Sequence, residues 1–131
     1  VTFFTEDELR CRCGCGLTEM DPGFMALLVR LRMDVGIPFP VTSAIRCAAH
    51  DRRVSTAVRA GEGAHTFGRA VDISAAGMAA AEKHEIVAKA TDLGFGGVGV
   101  RLHGRAGMQM IHLDNMRVWD GFPRPAFWTY A

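Results

Sequence analysis

The sequence predicts an α+β fold, a small antiparallel sheet with flanking helices, in one domain spanning residues 1–131. Two segments, 21–34 and 77–92, repeat apolar residues at helical spacing. Four short stretches, 40–45, 69–74, 98–102 and 108–114, read as strands, and HGRAG joins the last two as a hairpin. The order is helix, strand, strand, helix, then hairpin, which suits a small sheet with helices beside it.

In chain order, Thr5 before Glu6, Asp7 and Glu8 marks a short capped helical turn. The Gly-rich cysteine loop CRCGCG follows. Asp21 caps a helix that Pro22 opens, with Phe24, Leu27, Leu28, Leu31 and Val35 on one side. Gly36 stops it, and the prolines of GIPFP forbid continuation. Residues 40–45 read as a strand ending at Arg46, and 47–57 as one helical turn or a loop. The glycines at 61, 63 and 68 make VRAGEGAHTFG a loop. On the next strand, Ala70, Asp72 and Ser74 share one face, and Val71 and Ile73 the other. The helix over 77–92 turns Ile86, Ala90 and Leu93 inward before Gly94, Gly96 and Gly97 break it. The tail from Val118 holds both tryptophans and no assigned element.

Hydrophobic residues make up 49% and charged residues 22%, the balance of a soluble globular protein. A net charge of +1 with interspersed signs argues against nucleic-acid binding by phosphate neutralisation. No apolar run reaches about 18 residues, so no membrane span is expected. The opening VTFFTEDELR carries acids early and does not read as a signal peptide, although a signal removed upstream is left open. A monomer is expected.

The cysteines are oddly spaced: Cys11, Cys13 and Cys15 alternate, and Cys47 stands alone. Three states are open to them: a disulfide from the cluster to Cys47, a structural metal on all four thiolates, or reduced thiols. Each would pin the N-terminal arm to the loop after Arg46. A nucleophilic cysteine is disfavoured, because neighbouring thiols oxidise to one another.

His65, Asp72 and His112 offer two imidazoles and a carboxylate, the donors of a catalytic zinc site that keeps a position open for water. Gly68 lets the backbone fold back so that His65 and Asp72 converge. Met108, Met110, His112 and Asp114 share a strand face, and pairing of the two strands would bring His112 to Asp72. His50, His84 and His103 read as solvated or core residues.

The pattern G-x-H-x-x-G-x-A-x-D at 63–72, followed by I-H-L-D at 111–114, resembles a group of zinc peptidases. These are the D-alanyl-D-alanine carboxypeptidases and L-alanyl-D-glutamate endopeptidases, which share a fold with the amino-terminal domain of hedgehog proteins and include phage endolysins. FTEDELRCRCGCG resembles the group's F-x-x-x-E-F-x-C opening, and VTSAIRCAAHD its S-G-Y-R-x-x-x-x-N. GFGGVGV before the histidine strand and Trp119 after it also fit.

The resemblance implies Zn2+ held by His65, Asp72 and His112, with Arg46 binding substrate and polarising the scissile carbonyl. It implies hydrolysis of peptide bonds in peptidoglycan stem peptides, of D-Ala-D-Ala or L-Ala-D-Glu type. It also implies a role in phage or prophage cell-wall lysis, with synthesis in the cytoplasm and action at the wall or periplasm. The chain departs from the pattern at Gly63, at Ala44-Ile45, at Asp51 in place of asparagine, and at Gln109. Gln109 stands where the group has its general base, and an amide accepts no proton near neutrality. Asp114 or a glutamate such as Glu62 is then expected to assist, or Gln109 only orients water that zinc activates. A second reading is a non-catalytic zinc-stabilised binding module of a phage tail or wall-recognition assembly. A third is a structural zinc protein whose cysteines hold the only metal.

Overall fold

A computed structural model describes residues 3–130. The helices are α1 (Glu6–Leu9), α2 (Pro22–Val35), α3 (Ala48–Val54) and α4 (Ala80–Leu93). The strands are β1 (Val41–Ser43), β2 (Ala70–Ser74), β3 (Gly97–Arg101), β4 (Met110–Asp114) and β5 (Ala126–Thr129). They form one five-stranded sheet in the order β1-β2-β4-β3-β5.

Both long helices follow their sequence signals closely. The Asp21 side chain accepts the Phe24 N–H at 2.8 Å, and Gly36 closes α2 at φ 76°. Helix α4 starts three residues later than periodicity suggests, because Gly77 takes φ 77° and the Glu82 side chain caps the Ala79 N–H. The stretch 47–57, left open between turn and loop, contains α3. Within the glycine-rich loop, residues 64–67 form a 3-10 turn that Gly68 ends at φ 65°. That glycine packs on the chain just before α2, where a Cβ would stand 2.9 Å from the Asp21 nitrogen.

Four strands pair antiparallel as expected. The fifth, β5, pairs parallel to β3 and makes the sheet mixed. It lies in the tail, where four residues of alternation are too few to mark a strand against turn-forming neighbours. The β3–β4 connection is longer than HGRAG, and Met108 sits in its 3-10 turn rather than on the histidine strand.

The sheet has two different faces. Val71, Ile73, Val98, Val100, Ile111 and Leu113 join Phe24, Leu28 and Leu31 of α2 and Ile86 and Ala90 of α4 in one core. Period-2 alternation sends their neighbours to the other face. There the register places Asp72, His112, Gly99 and Trp128 in one row across β2, β4, β3 and β5. The row beside it is Ala70, Asp114, Gly97 and Ala126. Both β3 positions are glycine, and neither can carry a side chain. A Cβ on Gly97 would run into the Asp114 carboxylate, and one on Gly99 into the Trp128 ring. The third and fourth glycines of GFGGVGV, Gly97 and Gly99, thus clear the floor of the polar face.

Gly99→Ala is expected to destabilise the protein by about 1–3 kcal/mol, the usual cost of overpacking. Urea denaturation monitored by tryptophan fluorescence measures it. An unchanged midpoint would show that Trp128 does not rest on Gly99.

Candidate metal centre

His65 sits on the 3-10 turn at 64–67, Asp72 in the middle of β2 and His112 opposite it on β4. All three are at least nine-tenths buried. Asp72 Oδ1 stands 3.3 Å from His65 Nε2 and 3.0 Å from His112 Nδ1. The three donor atoms lie within 4.8 Å of one another.

The outer nitrogen of each ring is already engaged. His65 Nδ1 lies 2.7 Å from the Ala44 carbonyl, which can only accept, so Nδ1 carries the proton and Nε2 presents its lone pair. His112 Nε2 lies 2.7 Å from Asp114 Oδ2 and donates to it, which turns the Nδ1 lone pair inward. Two lone pairs then face one carboxylate oxygen, and only a positive charge between them makes that arrangement favourable. Tetrahedral zinc ligands about 2.1 Å from the ion stand about 3.4 Å apart, close to the 3.3 Å between His65 and Asp72 and a few tenths wider than the 3.0 Å between Asp72 and His112. The donor set therefore fits a zinc ion.

Without a metal, a proton takes the place of the cation. Burial alone would lower the His112 pKa, but hydrogen bonds to Asp114 and Asp72 raise it to about 9. Burial would raise Asp72, but His65 and His112 hold it well below the usual carboxylate range.

Asp114 does not occupy the position expected of a base. It shares the face with His112, yet its carboxylate lies at the far ring nitrogen, not at the inward one. It is fully buried and takes two hydrogen bonds from Arg124, at 3.0 and 2.8 Å, and one from the Met116 N–H at 3.1 Å. Burial would raise its pKa, but His112 and Arg124 lower it to about 2. A carboxylate so held orients the imidazole and cannot reach a water on the other side. Gln109 precedes β4, with its amide donating to the Gly104 carbonyl at 3.4 Å. Glu62 is exposed on the loop before His65.

Arg46 is brought to the centre. Beyond Ser43, residues 44–46 leave the sheet after a register shift in β1. The Arg46 N–H instead bonds the His65 carbonyl at 3.2 Å. Its guanidinium donates to Ser43 Oγ at 3.0 Å, Asp51 Oδ1 at 3.0 Å and Asp72 Oδ2 at 3.3 Å. These contacts use three of its five N–H donors and leave two for a ligand.

Sequence reasoning missed several contributors. Asp51 is 1% exposed; besides Arg46 it accepts the Gly61 and Gly63 N–H groups at 2.8 and 3.3 Å. This one carboxylate fixes both the arginine and the loop leading to His65. Burial opposes its ionisation, but these donors hold its pKa below the usual value. A Cβ at Gly63 would stand 3.1 Å from Asp51 Oδ2, so the departures at 51 and 63 are linked. The tryptophan at the centre is Trp128, whose ring centroid lies 5.2 Å from that of His112; Trp119 is largely exposed. Tyr130 lies near as well, its phenol pushed up to about 12 by burial and by Asp72.

The family model described as Peptidase M15 matches residues 2–114. The chain belongs to the Peptidase M15 family. No curated protein and no solved structure matches it significantly. M15 members are metallopeptidases, in keeping with the candidate metal-binding group of His65, Asp72 and His112. Arg124, Trp128 and Tyr130 lie beyond the matched residues, where the family pattern gives no signal for them.

Zinc uptake must displace the His112 proton, which is held up to about pH 9 in the metal-free protein. At neutral pH, binding is expected to release about one proton from this residue, and affinity to rise with pH until about 9. Calorimetry in buffers of different ionisation enthalpy reads this directly. Proton release of zero at neutral pH would contradict the Asp72–His112–Asp114 arrangement.

Proposed function

We propose that this M15 member is a zinc peptidase that hydrolyses peptide bonds in peptidoglycan stem peptides, of D-Ala-D-Ala or L-Ala-D-Glu type. The observation that carries the reading is the convergence of His65 Nε2, Asp72 Oδ1 and His112 Nδ1 beside an arginine with unused donors. His65, Asp72 and His112 are its metal ligands. A zinc ion there would polarise the scissile carbonyl and bring the pKa of a water to about 7, so ionising that water needs no carboxylate base.

The protein's side chains do the rest. Arg46 is held rigid by Asp51 and points its free N–H groups at a substrate carboxylate or at the carbonyl oxygen as charge develops there. Asp114, braced by Arg124, keeps His112 in the tautomer that leaves Nδ1 free. Gln109 orients water or substrate and accepts no proton. Trp128 covers one side of His112 and excludes solvent from it. The protein acts as a monomer at the cell wall or in the periplasm, after synthesis in the cytoplasm, in phage or prophage lysis.

One observation favours a second reading. Gln109 stands at the base position and Asp114 is committed to Arg124, so a non-catalytic zinc-stabilised module for wall recognition fits the same residues.

Digestion of purified muropeptides with zinc-loaded protein, followed by mass spectrometry, separates the two. A new stem-peptide fragment is expected, with kcat/KM falling about 10²–10³-fold in Arg46→Ala. Intact muropeptides in the presence of bound zinc would overturn the peptidase reading in favour of the binding module.

A further inference from the structure

Away from the His65 centre, the cysteine loop and the start of α3 bring four sulfurs together. All four Sγ atoms, of Cys11, Cys13, Cys15 and Cys47, lie within 4.8 Å of one another. Cys11 and Cys13 are 3.5 Å apart, and Cys13 and Cys47 3.7 Å. Four thiolates about 2.3 Å from a tetrahedral zinc stand about 3.8 Å from one another. The Cys11–Cys13 and Cys13–Cys47 pairs have nearly that spacing, and no pair is wider than 4.8 Å, within about 1 Å of it.

Local backbone chemistry explains how alternate cysteines converge. In an extended strand, residues two apart would hold their side chains roughly 6.6 Å apart, too far for one ion. Here Gly14 and Gly16 take φ 85° and 89°, and a Cβ on either would meet nothing within 4 Å. Left-handed backbone, not lack of space, is what requires glycine at these places. The Gly14 N–H reaches the Cys11 carbonyl at 3.4 Å and the Cys11 N–H the Leu17 carbonyl at 2.8 Å, so the loop curls around its own sulfurs.

Two main-chain donors face sulfur as well. The Cys47 N–H lies 3.4 Å from Cys11 Sγ, and the His50 N–H 3.4 Å from Cys47 Sγ. Such donors stabilise thiolates. A disulfide would draw only two sulfurs to about 2.05 Å and leave two thiols beside it, poised for exchange. A metal ion satisfies all four at once.

We propose that Cys11, Cys13, Cys15 and Cys47 bind a structural zinc ion, separate from the His65–Asp72–His112 centre, that fixes the segment carrying Arg46. Cys47 follows Arg46 directly, and Asp51, which clamps the Arg46 guanidinium, lies in the helix that Cys47 caps. The Ile45 N–H also bonds the Leu9 carbonyl at 3.3 Å. The ion therefore ties the N-terminal arm to the base of the arginine.

The test is metal stoichiometry on the whole protein, purified without chelator and measured by plasma mass spectrometry. Cys15 is exposed, so Cys15→Ser leaves the core untouched. The expected result is two zinc ions in the wild type, one in Cys15→Ser, one in His112→Ala and none in the double variant. Cobalt substitution adds a signature: thiolate-to-cobalt charge-transfer absorption present in the wild type and in His112→Ala, and lost in Cys15→Ser. Equal zinc content in the wild type and Cys15→Ser would overturn the proposal, as would a Cys–Cys disulfide in non-reducing peptide mapping of fresh protein. The two sites are read by different variants, so failure at the cysteines leaves the peptidase reading standing, and the reverse.

Discussion

The structure depends on the double engagement of His112. Its Nε2 donates to Asp114, and its Nδ1 faces Asp72. That pairing sets which ring atom points inward, and the rest of the polar face is arranged to permit it. Gly97 leaves room for the Asp114 carboxylate, Arg124 neutralises it, and Gly99 lets Trp128 lie over the imidazole. Without Arg124 the buried Asp114 carboxylate would keep only His112 and the Met116 N–H, and removing one partner of a buried ion pair typically costs several kcal/mol. The hydrophobic core does its part from the other side, where α2 and α4 hold β2, β3 and β4 in a register that a one-residue slip would invert.

A second set of interactions meets the first at Asp72. One of its oxygens faces the two histidines and the other accepts from Arg46, which Asp51 holds in turn. Asp51 also binds the backbone of the loop that delivers His65. The three candidate ligands and the arginine are thus one connected unit. Distortion at α3 or in the cysteine loop would be felt at the guanidinium before it was felt at the imidazoles.

Much of this was legible in the sequence, for identifiable reasons. Helices α2 and α4 carry caps and long apolar periodicity, so their existence and ends follow from local chemistry. His65, Asp72 and His112 could be grouped because Gly68 marks a turn and alternation assigns Asp72 and His112 to strand faces that pairing brings together. The rest depends on contacts distant in sequence. Strand β5 pairs parallel with β3, and nothing within Ala126–Thr129 announces a partner. The role of Asp114 turns on which side of the imidazole its carboxylate reaches. Parity places it on the right face but not at the right nitrogen. Asp51 looked like a departure from a family asparagine, and only its contacts with Arg46, Gly61 and Gly63 show why a carboxylate stands there. Gly97 reads in the sequence as a helix breaker and Gly99 as part of the 98–102 strand, and their value at the polar face appears only once the neighbouring strands are in place.

The most direct test of this account is anomalous diffraction at the zinc edge from crystals of zinc-loaded protein. The expected result is a peak about 2.0–2.2 Å from His65 Nε2, Asp72 Oδ1 and His112 Nδ1, with Asp114 still bound to Nε2 of His112. A map with no zinc between these three residues, or with zinc on Nε2 of His112 in place of Asp114, would contradict it.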